Sequence, residues 1–160
     1  MSTHRRVAVV TGGTRGIGRA CTAVLARDGF DVVFCGRDSS PGAEVEREVP
    51  GAKFVQADVC DPADVTRMFD VAAELGGGRI AALVNNAGQV VDREFGRMSS
   101  EEWDQMIEAN SRSVFLTTRC ALDALIASRG AVVLSERASY VNGVAIPVDG
   151  GETAGFGPGS

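Results

Sequence analysis

The chain has 160 residues, of which 44% are apolar and 23% are charged, and its net charge is −5. This length suits one domain with a modest core. The acidic balance excludes the positive surface by which proteins hold nucleic acid or anionic membranes. The single histidine, His4, and four cysteines without a C-x-x-C pair exclude a metal site of the cysteine–histidine type.

Short apolar runs alternate with segments of helical periodicity along the chain. The predicted strands are Val7–Val10, Val32–Cys35, Lys53–Gln56, Ile80–Asn85 and Ala131–Leu134. The predicted helices are Ile17–Asp28, Pro41–Val49, a segment from Pro62 to about Gly76 with Asp61 as N-cap, and a long helix from Ser99 or Ser100 to about Ser128.

The strand runs are almost continuously apolar, as expected for strands that are buried on both faces. Strands separated by helices must be parallel, and right-handed crossovers place those helices on both faces of the sheet. The sequence therefore predicts a doubly wound α/β fold of the Rossmann type. We expect a single domain over residues 1–150, a mobile glycine-rich tail over residues 151–160, and a cytoplasmic location because the cysteines are scattered and no secretory signal is present.

A glycine-rich loop, Thr11–Gly18, lies between the first strand and the first helix. Glycines there allow a tight turn and a close approach of the backbone to a pyrophosphate, which the helix N-terminus also attracts. In this strand–loop–helix context the pattern predicts a dinucleotide site. The residues predicted to bind the cofactor here are Gly12, Thr14, Arg15, Gly16, Ile17 and Gly18.

The second strand ends in Gly36 and Arg37 rather than in the carboxylate that would hold the ribose hydroxyl of NAD. Arg37 and Arg15 of the glycine loop would both face that ribose. Two guanidinium groups near one phosphate favour NADP(H) over NAD(H) as the cofactor.

Further motifs resemble the short-chain dehydrogenase/reductase family over residues 5 to about 133. These motifs are Thr11-Gly12-x-x-x-Gly16-Ile17-Gly18, Asp58-Val59 after the third strand, Asn85-Asn86-Ala87-Gly88 after the fourth strand, Trp103-Asp104, and Asn110 in the long helix. The resemblance implies an adenine contact at Asp58 and Val59. It also implies a structural and ribose-lining role for Asn86, Ala87 and Gly88.

Asn110 is the polar member of a predicted core-facing stripe in the long helix. The stripe consists of Trp103, Ile107, Asn110, Val114, Thr118, Ala121 and Leu125. From spacing alone, Asn110 is either a core asparagine with satisfied hydrogen bonds or a functional one. The resemblance implies the family's catalytic asparagine, which holds a water in a proton relay.

The family's tyrosine and lysine, four residues apart, are absent. The chain has one tyrosine, Tyr140, and one lysine, Lys53, and position 144 is a valine. Residues 134–151 resemble the family's last loop and last strand, so the chain resembles a member with an internal deletion after the fifth strand. Ser135 is then either the catalytic serine or part of this C-terminal motif, and the second interpretation fits its neighbours better.

The deletion would leave a last strand near Val144–Val148 without its usual neighbour. That strand could pair antiparallel at the sheet edge, pair in another chain, or remain unpaired. A homo-oligomer or a hetero-partner with an altered interface is expected, because the long helix keeps its apolar stripe while the helix that pairs with it in the family is absent. The main functional prediction is an NADP(H)-binding oxidoreductase that acts on an unidentified carbonyl or alcohol but is impaired. The alternatives are a non-catalytic dinucleotide-binding or partner subunit, a non-redox enzyme, and a truncated product without function.

Overall fold

The computed structural model describes residues 6–134 and 146–147. Five parallel strands form the sheet, and a sixth short strand is added at one edge, in the order β3-β2-β1-β4-β5-β6. Their bounds are β1 Arg6–Val10, β2 Phe30–Gly36, β3 Ala52–Gln56, β4 Ala82–Asn85, β5 Ala131–Leu134 and β6 Ile146–Pro147. The predicted doubly wound Rossmann sheet is confirmed.

The helices lie between the strands as the periodicity predicts. They are α1 Gly16–Arg27, α2 Ser39–Glu48, α3 Pro62–Gly76, α4 Ser100–Ile107 and α5 Ser113–Ser128, with a short 3-10 turn at Phe95–Arg97. Asp61 caps α3 by accepting a hydrogen bond from the Ala63 amide at 2.8 Å. Ser99, rather than Ser100, caps α4, and Glu102 completes a reciprocal capping box with it.

The predicted long helix is continuous over residues 100–128, but its repeat is not uniform. A π turn at Glu108–Arg112 lies between α4 and α5 and inserts an extra residue into the helical repeat. The insertion changes which side chains face the core: Trp103 and Ile107 are 40% and 39% exposed, whereas Met106, Asn110, Ser113, Thr117, Ala121 and Leu125 are buried. The predicted stripe is therefore correct at Asn110, Ala121 and Leu125 and wrong at its N-terminal end.

Two apolar clusters cover the two faces of the sheet. One contains Val9, Leu83 and Val132 of the strands and packs against α3 and α5, with Met68 and Leu125 among its buried members. The other cluster contains Val10, Phe34 and Val84 of the strands and Val45 of α2. Because β1 to β5 are parallel, their carboxyl ends lie at the same edge of the sheet. The loops that follow these strands converge at that edge.

The last strand pairs antiparallel with β5, with Val132 opposite Ile146 and Ala131 opposite Pro147. This was one of the three outcomes left open for the segment near Val144–Val148. Ser135, Tyr140 and the tail of residues 151–160 lie outside the described residues. Among the helices described, none has both the length and the apolarity needed to cross a membrane.

Candidate dinucleotide site

A cleft opens at the carboxyl ends of β1, β2, β3 and β4. Its walls come from the loops that follow these four strands and from one residue of the π turn. The residues lining it are Gly12, Thr14, Arg15, Cys35, Gly36, Arg37, Asp38, Ala57, Asp58, Val59, Cys60, Asn86, Ala87, Gly88, Gln89 and Ala109. The cleft lies where the chain changes direction between β1 and β4, which is the usual ligand position in such sheets.

The glycine loop holds the backbone close to this cleft. Gly12 and Gly16 have positive φ angles of 66° and 53°, which glycine adopts without steric cost. A Cβ atom on Gly18 would lie 2.2 Å from the Gly12 carbonyl oxygen, so only glycine fits where α1 starts. No side chain caps α1, and its first turn contains no acidic residue. The positive end of this helix is thus open to an anion.

Two arginines line the outer part of the cleft, as predicted from the sequence. Arg15 follows β1 and Arg37 follows β2, and both are exposed. Within residues 6–134 neither guanidinium forms an ion pair, whereas six other arginines in that range do. Two acidic residues also line this cleft: Asp38, which follows Arg37 in the chain, and Asp58, in the loop after β3.

Asn86 joins the loop after β4 to the glycine loop. Its Nδ2 donates to the carbonyl oxygens of Thr11 and Gly12, at 3.0 and 3.1 Å. The Thr11 hydroxyl accepts from the backbone amides of Asn86 and Ala87, at 3.0 and 2.9 Å. The Asn86 Oδ1 atom is buried and has no hydrogen-bond partner. A buried acceptor without a donor carries a desolvation cost, which a ligand hydroxyl could relieve.

The loop after β3 is fixed by carboxylates. Asp64, in the first turn of α3, accepts from the Asp58 backbone amide at 2.8 Å, and the Asp58 carboxylate accepts from the Cys60 amide at 2.9 Å. The hydrogen bond from the Asp58 amide and the contact with Arg67 hold the pKa of Asp64 below its ordinary value. This loop therefore presents Asp58 and Val59 to the cleft in a defined conformation.

Two thiols also line the cleft, and both remain protonated at neutral pH. Burial raises the pKa of Cys35 to about 11. Burial, followed by the nearby Asp58 carboxylate, raises the pKa of Cys60 to about 11 as well. Because the thiolate is the reactive form of cysteine, neither group is suited to act as a nucleophile here.

Asn110 is buried at the π turn and contacts the loop after β4. Its Oδ1 accepts from the Gln89 amide at 3.0 Å and its Nδ2 donates to the Gln89 carbonyl at 2.7 Å. Both alternatives for this residue remain compatible with the geometry, since these two bonds satisfy the amide and also place Asn110 directly behind the cleft wall. Gln89 and Ala109, which line the cleft, were not predicted, because neither carries a motif signal.

Most of the predicted cofactor residues converge on this cleft. Gly12, Thr14, Arg15, Arg37, Asp58, Val59, Asn86, Ala87 and Gly88 line it. Gly16, Ile17 and Gly18 form the first turn of α1 rather than the lining. Ser135 lies outside the described residues, so its predicted role stays a prediction. No group of histidine, cysteine and carboxylate side chains that could hold a metal occurs in the described ranges.

Comparison with known proteins gives consistent similarities. A family model described as short chain dehydrogenase matches residues 6–142. The chain is 35% identical over 123 residues to an NADP-dependent (R)-specific alcohol dehydrogenase of Lentilactobacillus kefiri, covering 75% of this chain and 48% of that protein. It is 36% identical over 132 residues to a 3-oxoacyl-acyl-carrier-protein reductase of Escherichia coli strain K12, covering 81% and 53%.

A solved structure shows the same architecture. The 3-ketoacyl-acyl-carrier-protein reductase of Brucella melitensis, complexed with NADH, superposes with a TM-score of 0.76 at 28% identity, covering 81% of this chain and 56% of that chain. The present chain thus spans about half the length of the curated relatives it matches.

Proposed function

The chain belongs to the short chain dehydrogenase family, whose members bind a nicotinamide dinucleotide, and on that premise we propose that its cleft binds NADP(H) in preference to NAD(H). The observation that carries the preference is the pair of exposed arginines, Arg15 and Arg37, which line the cleft without an ion-pair partner in residues 6–134. A 2′-phosphate would supply the negative charge that both guanidinium groups lack.

The residues of the cleft fit the remaining parts of such a cofactor. The first turn of α1, from Gly16 to Gly18, would hold the pyrophosphate with its backbone amides. Asp58 and Val59 would contact the adenine, and Ala87 and Gly88 would line the adenosine ribose. A ribose hydroxyl is a suitable donor for the orphaned Asn86 Oδ1. When bound, the nicotinamide supplies or accepts a hydride.

The family relationship supports an oxidoreductase that acts on a carbonyl or alcohol substrate. The relatives named above are an alcohol dehydrogenase and an acyl-carrier-protein reductase. In this proposal Asn110 supports the reacting end through the Gln89 backbone. Ser135, which lies outside the described residues, stays a candidate catalytic residue from the sequence alone. The chain has one tyrosine and one lysine, not four residues apart. We propose that this 160-residue chain is strongly impaired in catalysis, because it does not contain the tyrosine–lysine pair that the resemblance implies.

Self-association is proposed through the outer side of α5. Phe115, Leu122 and Ile126 are 58%, 41% and 46% exposed and recur along one side of this helix. Exposed apolar side chains grouped on one helix face are typical of association surfaces. A second copy of the chain would cover this face in a symmetric dimer.

Titration of the wild-type chain with NADPH, NADH and 2′-phospho-ADP-ribose tests the cofactor proposal. We expect NADPH to bind about tenfold or more tightly than NADH, as one charge-assisted contact contributes on the order of 1.5–3 kcal/mol. An Ile17→Asp variant should lose affinity because its carboxylate competes with the pyrophosphate at the start of α1. Val24→Asp, on the same helix and similarly exposed, is the matched control. Failure of all three ligands to bind would refute the proposal.

A hydride-transfer assay tests whether the bound cofactor reacts with a substrate. NADPH oxidation is followed with a panel of ketones and aldehydes, with Ile17→Asp as the background. Loss of a positioned proton donor lowers rates by about 10²- to 10⁴-fold, so slow turnover above background is expected. Tight NADPH binding with no turnover above background would instead identify a non-catalytic dinucleotide-binding subunit.

A further inference from the structure

The loop after β3 makes a second set of contacts that the cofactor motifs do not explain. The Cys60 thiol donates to the Glu108 carbonyl oxygen at 3.6 Å, and the Arg112 guanidinium donates to the Cys60 carbonyl oxygen at 3.4 Å. Arg112 also forms an ion pair with the Glu108 carboxylate. The two ends of the π turn, Glu108 and Arg112, therefore hold both the side chain and the backbone of Cys60.

These contacts form part of the cleft wall. Cys60 and Ala109 both line the cleft, and Ala109 lies within the π turn. On its other side Cys60 is connected to Asp58, whose carboxylate accepts from the Cys60 amide. A shift of Cys60 away from the π turn would thus move Asp58 and Val59, the residues assigned to the adenine.

The π turn itself makes this arrangement possible. In a regular α-helix, residues four apart are separated by one turn and share one face, and an i, i+4 pair such as Glu108–Arg112 is then an ordinary surface pair. The inserted residue widens the turn and brings Asn110 into the core. The same five residues consequently reach two loops of the cleft, through Asn110 to Gln89 and through Arg112 to Cys60.

We propose that Arg112, oriented by Glu108, is a positioning residue that holds the loop Ala57–Cys60 in the conformation that receives the adenine end of the cofactor. This inference rests on the proposed function of the cleft. It assigns to the π turn a role on the adenosine side of the site, separate from the role proposed for Asn110 on the reacting side.

The competing explanation is purely electrostatic, since Arg112 carries a positive charge and the ligand is an anion. The two explanations make opposite predictions for the partner residue. Glu108→Gln raises the net positive charge near the cleft, so electrostatics alone would strengthen anion binding. If Glu108 orients Arg112, the same variant weakens binding despite the gain in charge.

The experiment measures the affinity of the full chain for 2′-phospho-ADP-ribose, which probes the adenosine half alone. We expect Arg112→Met and Glu108→Gln each to weaken binding by about two- to tenfold, the usual effect of one hydrogen bond. Arg112→Lys should weaken it less than Arg112→Met, since lysine keeps the charge and can still donate to one of the two partners. The matched control is the exposed pair Glu94–Arg97, whose Arg97→Met and Glu94→Gln variants should leave affinity unchanged. Opposite effects of Arg112→Met and Glu108→Gln would overturn the proposal.

A second readout uses no cofactor. Hydrogen–deuterium exchange of residues 57–60 in the free protein, followed by mass spectrometry, should be several-fold faster in Arg112→Met while the melting temperature changes little. Unchanged exchange in these residues would overturn the proposal, since the loop would then not be held by Arg112. If wild type binds no ligand but this exchange becomes faster in Arg112→Met, the proposed function fails and the structural link between Arg112 and the loop stands.

Discussion

Asn86 illustrates how a single amide organises the cleft. Its Nδ2 is shared by two carbonyl oxygens of the glycine loop, while its Oδ1 is buried without a donor. The motif Asn85-Asn86-Ala87-Gly88 predicts that Asn86 lies here. It cannot predict which atom of the amide stays unsatisfied, because that depends on the distance between two loops that are remote in the sequence.

Arg37 provides the most direct test of cofactor selection at the scale of one residue. Arg37→Ala should weaken NADPH binding by about tenfold or more, since a charge-assisted hydrogen bond contributes roughly 1.5–3 kcal/mol. NADH has no 2′-phosphate, so its affinity should change by less than about twofold. The dissociation constants for NADPH and NADH are both obtained by fluorescence titration.

Arg47→Ala serves as the control, because Arg47 is an exposed arginine of α2 that does not line the cleft. Equal losses of NADPH and NADH affinity in Arg37→Ala would contradict the assignment of Arg37 to the 2′-phosphate.

Asp64 predicts a pH dependence of stability. Its pKa is lowered in the folded chain, first by the hydrogen bond from the Asp58 amide. Such a group stabilises the folded state above its unfolded pKa, about 3.9, and this contribution is lost as pH falls through the lower folded value. The free energy of unfolding of Asp64→Asn should therefore be lower than that of wild type at pH 7, and the difference should shrink below about pH 4.

Urea unfolding at a series of pH values measures this difference. Asp70→Asn, an exposed aspartate on the same helix, should show no such convergence. A difference that stays constant from pH 7 to pH 3 would exclude Asp64 as its source.

At the scale of elements, the sequence predicts every parallel strand and most helix limits, because buried strands and capped helices have strong local signals. It misses the π turn, because helical periodicity is interpreted with a constant repeat of 3.6 residues. Ile107 and Val114 then fall on the predicted core face, although neither is fully buried. The inserted residue is stabilised by a tertiary contact, Asn110 with Gln89, that no local pattern contains.

The start of α4 gives a stability prediction for one element. Ser99 accepts from the Glu102 amide at 3.2 Å, and Glu102 accepts from the Ser99 amide at 2.9 Å. Ser99→Ala should lower the free energy of unfolding by about 1 kcal/mol, the usual cost of losing an N-cap. Ser100→Ala, one residue inside the helix, should be neutral or slightly stabilising.

Chemical denaturation with both variants checks this assignment. A larger loss in Ser100→Ala than in Ser99→Ala would move the cap to Ser100, the alternative that sequence spacing leaves open.

At the scale of the whole molecule, the parallel sheet follows from the alternation of strands and helices, but the position of the last strand does not. Local sequence marks a strand near Val144–Val148, and the described part, Ile146–Pro147, pairs antiparallel with β5. The position of that pairing depends on which edge is free, and this is a property of the assembled sheet. The candidate cleft was predictable for the same reason as the sheet, since each of its motifs follows a strand end.

The exposed apolar residues on the outer side of α5 allow a test of the proposed self-association. Leu122→Glu should reduce self-association, because it places a charge within the exposed apolar face that also contains Phe115 and Ile126. Sedimentation velocity over a range of protein concentrations measures the change. Leu75→Glu, which replaces a similarly exposed leucine of α3, is the control, and identical behaviour of the two variants would argue against α5 as the interface.

The central position of β1 in the sheet affects how the chain folds during its synthesis on the ribosome. Val9 pairs with Val33 of β2 on one side and with Leu83 of β4 on the other. One edge of β1 can therefore pair soon after β1 is made, whereas the other edge must wait until β4 has been synthesised. Synthesis proceeds at about 5–20 residues per second, which leaves β1 with one bare edge for several seconds. During that interval the unpaired edge of β1 is open to pairing with a wrong strand.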